Sequence, residues 1–232
     1  MLGTVVNTLS IIGGALLGLL FRKGFPDKIK LTVIQGIGLA VILIGGKMAA
    51  QTQNPLIIIS SLVVGGAIGE LIDIEKRLAN LGRWIESRFS TADKSGDFTK
   101  AFVSTSLIYC VGAMAIMGSL ESGLRGNHQI LYAKSMLDGV SAVVFASSMG
   151  IGVGVSAIPV FLYQGTITIS AELLQGILSP SVIAEMSAAG GLLIIGIGLN
   201  TLQIKEIKVG NLLPAIFAAV LFTYLFQHLG IG

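Results

Sequence analysis

The hydrophobic positions of this 232-residue chain fall into long, almost uninterrupted runs. A membrane-spanning helix needs about 20 mainly apolar residues to cross roughly 30 Å of hydrocarbon. Eight runs approach this length, and they cover residues 2–21, 30–50, 55–72, 98–119, 130–149, 151–170, 181–203 and 210–228. The pattern predicts an all-α, polytopic membrane protein, a helical bundle of about eight spans.

The fifth and sixth runs are separated only by a glycine-rich stretch, in which Gly150, Gly152 and Gly154 alternate with apolar residues. Each glycine weakens a helix by about 1 kcal/mol relative to alanine, so we expect a helix break here. Two interpretations stay open at this stage. The runs are two full spans, or they form a re-entrant hairpin, which leaves six full spans.

The charged residues are few and clustered. They make up 12% of the chain, whereas about 25% is usual in soluble domains. Of the 27, five lie in residues 22–30 and twelve in residues 70–100. The loops at 51–54 and 171–180 carry no Lys or Arg. By the positive-inside rule, we expect the basic loops in the cytoplasm and the N-terminus outside.

The first run is expected to remain as an uncleaved span, because Arg22 and Lys23 follow its apolar core, whereas the positive residues of a signal peptide precede that core. The net charge is +3, and the basic residues lie beside the hydrophobic spans, where they orient the protein in the bilayer. They do not indicate nucleic-acid binding. We expect membrane lipid and an unidentified small solute or ion as partners, and self-association into a homo-oligomer stays open.

The connection over residues 73–97 carries its own pattern. Apolar residues recur there at spacings of three and four, beginning at Leu71 and ending at Ile85, with Trp84 alongside. This predicts an amphipathic helix in the inner membrane interface, followed by a linker, or else an ordinary cytosolic helix packed on the protein. The chain is then one transmembrane domain, residues 1–232, with a first half of about 1–72 and a second of about 98–228.

Two weak internal matches indicate a repeat. "VVNTLSIIGGALLG" from Val5 resembles "VSTSLIYCVGAMAIMG" from Val103, and "GLAVILIGGKM" from Gly38 resembles "GLLIIGIGLNT" from Gly191. In the expected topology the matched spans run in opposite directions, as in transporters built from inverted repeats. Chance similarity between runs rich in Gly, Leu and Ile is the alternative.

The fifth run contains the most informative charge, Asp138, near its middle. Placing a charged group there costs about 2.5–3.5 kcal/mol on insertion scales. Lys134, Asp138, Ser141 and Ser148 follow helical spacing and form one polar stripe. The stripe either faces an internal polar path, with Asp138 as an ion or proton site, or makes a structural contact between helices. A span that starts later, leaving Asp138 near the outer surface, is a third interpretation.

Further polar groups lie within the predicted spans and are candidates for the same path. They are Asn7, Thr8, Gln35, Thr105, Ser106 and Glu185. Glu185 lies near the outer end of the seventh span, where a solvated position is the simpler interpretation. The pairs Gly14 with Gly18 and Gly65 with Gly69 indicate close helix packing.

Enzyme signatures are absent from the sequence. His128 and His228 have no metal-ligand spacing, and there is no Walker loop, HExxH motif or nucleophile elbow. We therefore expect no catalytic residues, no metal site and no cofactor. The one cysteine, Cys110, excludes an intrachain disulfide.

Several segments together resemble a known group of proteins. "GTVVNTLSIIGGALLGLL", "IQGIGLAVILIGG", "LDGVSAVVFASSMGIGV" and "GGLLIIGIGLNTL" resemble the YqgA/YdfK-type bacterial membrane proteins, a domain of unknown function sometimes labelled as transport proteins. The resemblance implies a multi-pass protein of the bacterial plasma membrane. It names no substrate and no site residue.

These observations favour a secondary transporter or channel-like protein that moves a small solute or ion. The alternative is a membrane scaffold that does not transport and binds partners or anionic lipid through the basic segment 70–100.

Overall fold

A computed structural model of the chain describes residues 1–22, 27–77, 80, 84, 97–110 and 113–229. No strand occurs in that part of the chain, and the fold is all-α. The helices are α1 (Leu2–Arg22), α2 (Asp27–Ala49), α3 (Pro55–Ile72), α4 (Asp97–Cys110), α5 (Ala113–Leu124), α6 (Gln129–Met149), α7 (Gly152–Val155), α8 (Ala157–Ile169), α9 (Ala171–Gln175), α10 (Pro180–Thr201) and α11 (Pro214–His228). A 3₁₀ turn, Val209–Leu212, leads into α11.

The spans predicted from the sequence correspond to these helices. Six segments of the described chain are long and apolar enough to cross a membrane, and the bent pair α4–α5 makes a seventh. The one remaining predicted span, residues 30–50, corresponds to α2, which is 23 residues long, although its apolar part, Ile34–Ala49, is shorter than a full crossing. The prediction of a polytopic helical membrane protein is confirmed.

Capping residues and prolines explain where helices α3 and α10 begin. Asn54 precedes α3, and its side-chain oxygen accepts a hydrogen bond from the backbone N–H of Leu56. Ser179 does the same before α10, where its hydroxyl accepts from Val182 N–H. A proline follows each cap, in the first helical turn, where a missing N–H costs nothing.

The glycine-rich stretch between the fifth and sixth runs contains one sharp break. Helix α6 ends at Met149, and Gly150 has a φ of 88°, a conformation that favours glycine. Gly152 is already helical, and a Cβ there would press against the Phe98 carbonyl of α4. The segments on either side, Gln129–Met149 and Gly152–Ile169, are each long enough for a full span.

The chain divides into two compact units that interleave in sequence. Unit 1 comprises Met1–Ile37, Ala79–Cys110 and Met114–Leu174, and unit 2 comprises Gly38–Leu78, Val111–Ala113 and Gln175–Gly232. Each unit therefore takes spans from both predicted halves. Of the predicted amphipathic element, residues 74–77 are helical, and most of 73–97 lies outside the described residues.

In unit 1, α1 and α6 run parallel and touch through glycine. A Cβ at Gly14 would overlap the carbonyl of Gly139, and one at Gly18 would overlap the carbonyl of Val143. Since both contact positions advance together along the two helices, the helices point the same way. The small residues at this interface let the two backbones approach closely, as the sequence pattern predicts.

The bent pair α4–α5 runs antiparallel to α6 along its length. Tyr109 of α4 contacts Ser141, whereas a Cβ at Gly118 of α5 would meet Leu131, near the start of α6. The two arms, Phe98–Cys110 and Met114–Leu124, are inclined by 57°. Because the pair follows α6 from one end towards the other, it is one bent span rather than a re-entrant loop.

Unit 2 is built from two antiparallel helix pairs that also meet at glycines. In the first pair, Gly38 and Gly45 of α2 lie against Gly198 and Gly191 of α10. In the second, Gly65 and Gly69 of α3 lie against the start of α11 and the turn before it. Close approach at glycine therefore organises both units.

Candidate functional site

The centre of unit 1 holds a buried ion pair on α6. The Lys134 ammonium nitrogen lies 2.9 Å from Oδ1 and 2.8 Å from Oδ2 of Asp138. The two residues are only 7% and 6% exposed. Asp138 is the tenth of the 21 residues of α6, which places it about 14 Å from the start of the helix at 1.5 Å per residue.

A second span contributes to this pair. Asn7 of α1 is fully buried, and its side-chain amide donates a hydrogen bond of 3.0 Å to Asp138 Oδ2. Along the isolated helix, a lysine four residues before an acid is the less favourable order. The geometry is therefore set by burial and by the contact with α1, and the carboxylate is held by donors from two helices.

A third span, α4, contacts α6 next to the pair, at Ser141. Ser141 Oγ donates to the backbone carbonyl of Asp138 at 2.9 Å and lies 3.4 Å from the hydroxyl oxygen of Tyr109 on α4. The Tyr109 ring packs against Phe145 with a centroid separation of 6.4 Å. We define the ion-pair cluster as Asn7, Tyr109, Lys134, Asp138 and Ser141.

The structure brings some of the predicted path residues together and separates others. Thr8, Thr105 and Ser106 donate to backbone carbonyls one turn earlier in their own helices. Ser148 is half-buried at the end of α6, and Gln35 is exposed on α2. Of the ten predicted residues, Asn7, Lys134, Asp138 and Ser141 therefore form the cluster.

Glu185 belongs to unit 2 and has a different environment. It is 2% exposed, so the interpretation as a solvated span end is wrong. Its carboxylate accepts hydrogen bonds from Thr52 Oγ1 at 2.6 Å and from the backbone N–H groups of Gln53 and Asn54 at 2.7 and 3.3 Å. Glu185 thus fixes the turn between α2 and α3.

A second polar cluster of unit 2 joins α3 to the start of α11. Asn211 is 3% exposed, donates to Glu70 Oε2 at 2.6 Å and accepts from the backbone N–H of Glu75 at 2.7 Å. Lys208 donates to Glu70 Oε1 at 2.6 Å, and this hydrogen bond raises the pKa of Lys208. The Glu70–Lys208 pair is exposed and contributes little by itself.

Sequence reasoning missed Tyr109 and three further buried polar side chains of unit 1. Thr4, Ser119 and Gln164 are each fully buried. Gln164 stands within the apolar run "VFLYQGTITI", and this isolation was the available signal. The three residues matter because polar atoms of each have no hydrogen-bond partner in the described part of the chain.

Unit 1 also carries an apolar groove between α1 and α7–α8. It encloses about 450 Å³, and its walls include Ile12, Leu16, Ile158, Phe161 and Leu162. Thr8 lines the groove, but its hydroxyl is bonded to the Thr4 carbonyl. The groove is therefore suited to hydrocarbon rather than to a polar solute. No group of three or more His, Cys, Asp or Glu that could hold a metal occurs among the described residues.

Comparison with known proteins finds one matching family model and related bacterial proteins. A family model described as "Protein of unknown function (DUF554)" matches residues 2–224. The chain is 31% identical over 235 residues to "Uncharacterized membrane protein YdfK" of Bacillus subtilis (strain 168), covering 100% of this chain and 99% of that protein. It is 33% identical over 226 residues to "Uncharacterized protein YqgA" of Escherichia coli (strain K12), with 94% of each covered. No solved structure matches the chain.

Proposed function

The chain belongs to the DUF554 family of proteins of unknown function, and within that frame we propose that it is a secondary transporter or channel-like protein of the bacterial plasma membrane. It moves a small solute or ion, and Asp138 is its proton- or cation-binding group. The observation that carries the proposal is the buried Lys134–Asp138 pair in the middle of a span, hydrogen-bonded to Asn7 on another span.

The energetic cost of this pair supports a functional role. Each charge costs about 2.5–3.5 kcal/mol at the centre of a membrane helix, and apolar replacements of buried ion pairs are often neutral or stabilising. A purely structural contact between α1 and α6 does not need the pair, because the glycines of the two helices already provide close packing. Ionisable residues inside membranes commonly mark ion or proton pathways.

An inverted repeat is part of the proposal, and the geometry of unit 2 supports it. The sequence match aligns Gly38 with Gly191 and Gly45 with Gly198. In the structure Gly38 lies against Gly198, and Gly45 lies against Gly191. If each glycine is replaced by the one it is aligned with, the first contact becomes the second, and the second becomes the first. Such reciprocity between antiparallel helices is what a local two-fold axis in the membrane plane produces, and transporters use that symmetry.

The directions of the spans in unit 1 agree with this arrangement. Span α1 runs opposite to the bent span α4–α5, because α6 is parallel to the first and antiparallel to the second. These are the relative directions that the first sequence match requires for an inverted repeat. We place the N-terminus outside, on the charge distribution of the loops.

The ion-binding role is tested without knowledge of the solute. The purified protein is reconstituted in liposomes on a solid-supported membrane, and the charge displaced by a jump in pH or in Na⁺ concentration is recorded. We expect a protein-dependent signal that falls at least about tenfold in Asp138→Asn. The variant is expected to insert, because the amide keeps the shape and still accepts a hydrogen bond from Lys134, but its unpaired ammonium lowers stability, so the signal is normalised to the amount of folded protein in the liposomes.

A matched control removes another carboxylate of the same unit. Glu121 of α5 pairs with Arg125 at 3.0 Å, and the arginine of this pair is exposed. Glu121→Gln should retain the wild-type signal, because it leaves the ion-pair cluster intact. If neither jump displaces charge, or if Asp138→Asn behaves like wild type, the proposal fails and the scaffold alternative remains.

A further inference from the structure

Both oxygens of the Asp138 carboxylate are occupied by N–H donors. The Lys134 ammonium nitrogen lies 2.9 Å from Oδ1 and 2.8 Å from Oδ2, and Asn7 Nδ2 donates to Oδ2 at 3.0 Å. The ammonium therefore lies where a cation bound by both oxygens would lie. An incoming metal ion has to displace this ammonium and take its place, whereas a proton needs only one lone pair of either oxygen.

The backbone around the carboxylate is not arranged to coordinate a metal ion. A metal cation gives up its hydration shell for a set of oxygen ligands, which transporters often supply as carbonyls of unwound helices. Helices α1 and α6 are continuous over Leu2–Arg22 and Gln129–Met149, and the break at Gly150 is about 18 Å further along than Asp138. The Ser141 hydroxyl donates to a backbone carbonyl. The cluster thus supplies donors to the carboxylate rather than an oxygen shell to a metal.

The Asn7 amide suits both protonation states of Asp138. Its Oδ1 is buried and has no hydrogen-bond partner in the described part of the chain. An amide has nearly the same shape after a half-turn, which exchanges Oδ1 with Nδ2 and needs no additional space. In the orientation of the structure, Nδ2 donates to the ionised carboxylate. In the other orientation, Oδ1 accepts from the O–H of the protonated carboxyl, so the contact between α1 and α6 survives proton binding.

The Lys134 side chain is held against the usual direction of helical side chains. Such side chains lean towards the N-terminus of the helix, but Lys134 reaches one turn forward to Asp138. Protonation of Asp138 removes the negative charge that holds it there. Lys134 is the sixth residue of α6, about 7.5 Å from the helix start, where Asn127 and Gln129 are exposed. A lysine stem can turn its ammonium towards such a polar surface, which limits the cost of losing the counter-charge.

The other titratable groups that act on the ion pair belong to α4. Tyr109 and Cys110 interact electrostatically with the pair, and a phenol and a thiol are ordinarily neutral at pH 7. Of the other helices that contact α6, α1 carries no titratable side chain before its last residue, and α7 carries none. In α5, Glu121 pairs with Arg125. The Asp138 carboxylate is therefore the group of this cluster that is placed to take up a proton.

We propose that the ion bound at Asp138 is a proton, and that Lys134 is the specificity-determining residue, which excludes metal cations by occupying their place on the carboxylate. The inference rests on the proposed function and names its ion. A proton from water adds to a lone pair of Asp138, forming one O–H bond, and the Lys134 ammonium turns away, still protonated. Loss of the proton to water breaks that bond and restores the ion pair.

The first experiment compares ions in the wild-type protein. The protein on a solid-supported membrane receives a pH jump or, at constant pH and ionic strength, a replacement of choline by Na⁺ or by K⁺. We expect the pH jump to displace charge, and either metal ion to displace at least about tenfold less. Asp138→Asn should lose the pH signal, and Glu121→Gln should keep it.

The second experiment removes the ammonium. Lys134→Gln places a neutral amide beside the carboxylate, and its carbonyl oxygen can serve as a cation ligand. At alkaline pH, where protons compete least, replacement of choline by Na⁺ should raise the Tm of this variant by at least about 2 °C, because a ligand that binds the folded state stabilises it. Lys134→Arg is the matched control. It keeps a cation beside Asp138 and, like wild type, should show no such rise.

The outcomes separate this inference from the proposed function. A Na⁺ or K⁺ signal within tenfold of the pH signal, and lost in Asp138→Asn, would overturn the inference but leave Asp138 as an ion-binding group. Absence of every signal would overturn both. A Tm of Lys134→Gln that does not respond to Na⁺, or responds no more than wild type does, would show that Lys134 does not select the ion. If Lys134→Gln does not fold, the wild-type comparison still decides between a proton and a metal ion.

Discussion

Asn7 and Asp138 are 131 residues apart in sequence, yet their side chains are joined by a hydrogen bond of 3.0 Å in the core of unit 1. The contact exists because α1 and α6 run parallel and approach closely at Gly14 and Gly18. It holds the carboxylate of a buried ion pair from a second span. The stability of unit 1 should therefore depend on the charges as a pair rather than on either one alone.

Removing one partner of the ion pair should destabilise the protein more than removing both. Lys134→Met leaves a buried carboxylate, and Asp138→Leu leaves a buried ammonium, so each should cost about 3–5 kcal/mol. The double variant Lys134→Met/Asp138→Leu leaves no unpaired charge and should lie near wild type. Unfolding of the detergent-solubilised protein in SDS measures all three.

The double variant also separates stability from function. It should unfold like wild type but show no displaced charge after a pH or Na⁺ jump. Additive losses in the two single variants, with the double variant the least stable of the three, would contradict the pairing seen between Lys134 and Asp138.

The sequence predicted the spans well because each must satisfy the same length and polarity requirement. It also placed Lys134 and Asp138 on one helix face, since helical spacing alone determines which residues share a face. It could not predict that α1 packs against α6, because glycine-rich apolar runs are compatible with many partners.

The remaining candidates depend on tertiary contacts that no local pattern contains. Thr105 and Ser106 satisfy their own helix, whereas Asn7 reaches across to another span, although all three are polar residues within predicted spans. Glu185 lies at a span end, where water is the simplest partner, but the turn after α2 supplies two N–H groups and a hydroxyl instead.

Neighbouring glycines of α1 should respond to alanine in opposite ways. A Cβ at Gly14 would overlap the Gly139 carbonyl, so Gly14→Ala should push α1 from α6 and cost about 1–3 kcal/mol. Gly13 has nothing within 4 Å of its Cβ position, so Gly13→Ala should gain up to about 1 kcal/mol of helix propensity. SDS unfolding of both variants provides the comparison. Equal effects at the two positions would argue against this interface.

Glu185 should act as a structural anchor of unit 2. Glu185→Ala removes the acceptor of three hydrogen bonds, including two backbone N–H groups at the turn before α3, and should cost at least about 1.5–3 kcal/mol. Thr52→Val removes only one of these bonds and should cost about 1 kcal/mol. Thermal unfolding of the purified variants measures both.

The exposed Glu172 provides the control for that substitution. Glu172→Ala should leave Tm unchanged within about 1 °C, because surface changes are usually small. A Glu185→Ala variant as stable as Glu172→Ala would show that the turn does not depend on this carboxylate.

The orientation of the protein is tested with two exposed loop positions of unit 2. Gln53 lies in the loop between α2 and α3, which has no Lys or Arg, and Lys205 lies in the basic loop between α10 and α11. Helix α3 ends near that basic loop, where Glu70 pairs with Lys208, so the two loops lie at opposite ends of α3. With basic loops inside, cysteine at position 53 should react with an impermeant maleimide in intact cells, and cysteine at position 205 only after permeabilisation. The single-cysteine variants are made in a Cys110→Ser background, which itself should not label. Labelling of position 205 alone in intact cells would invert the topology, and with it the direction of every span assigned above.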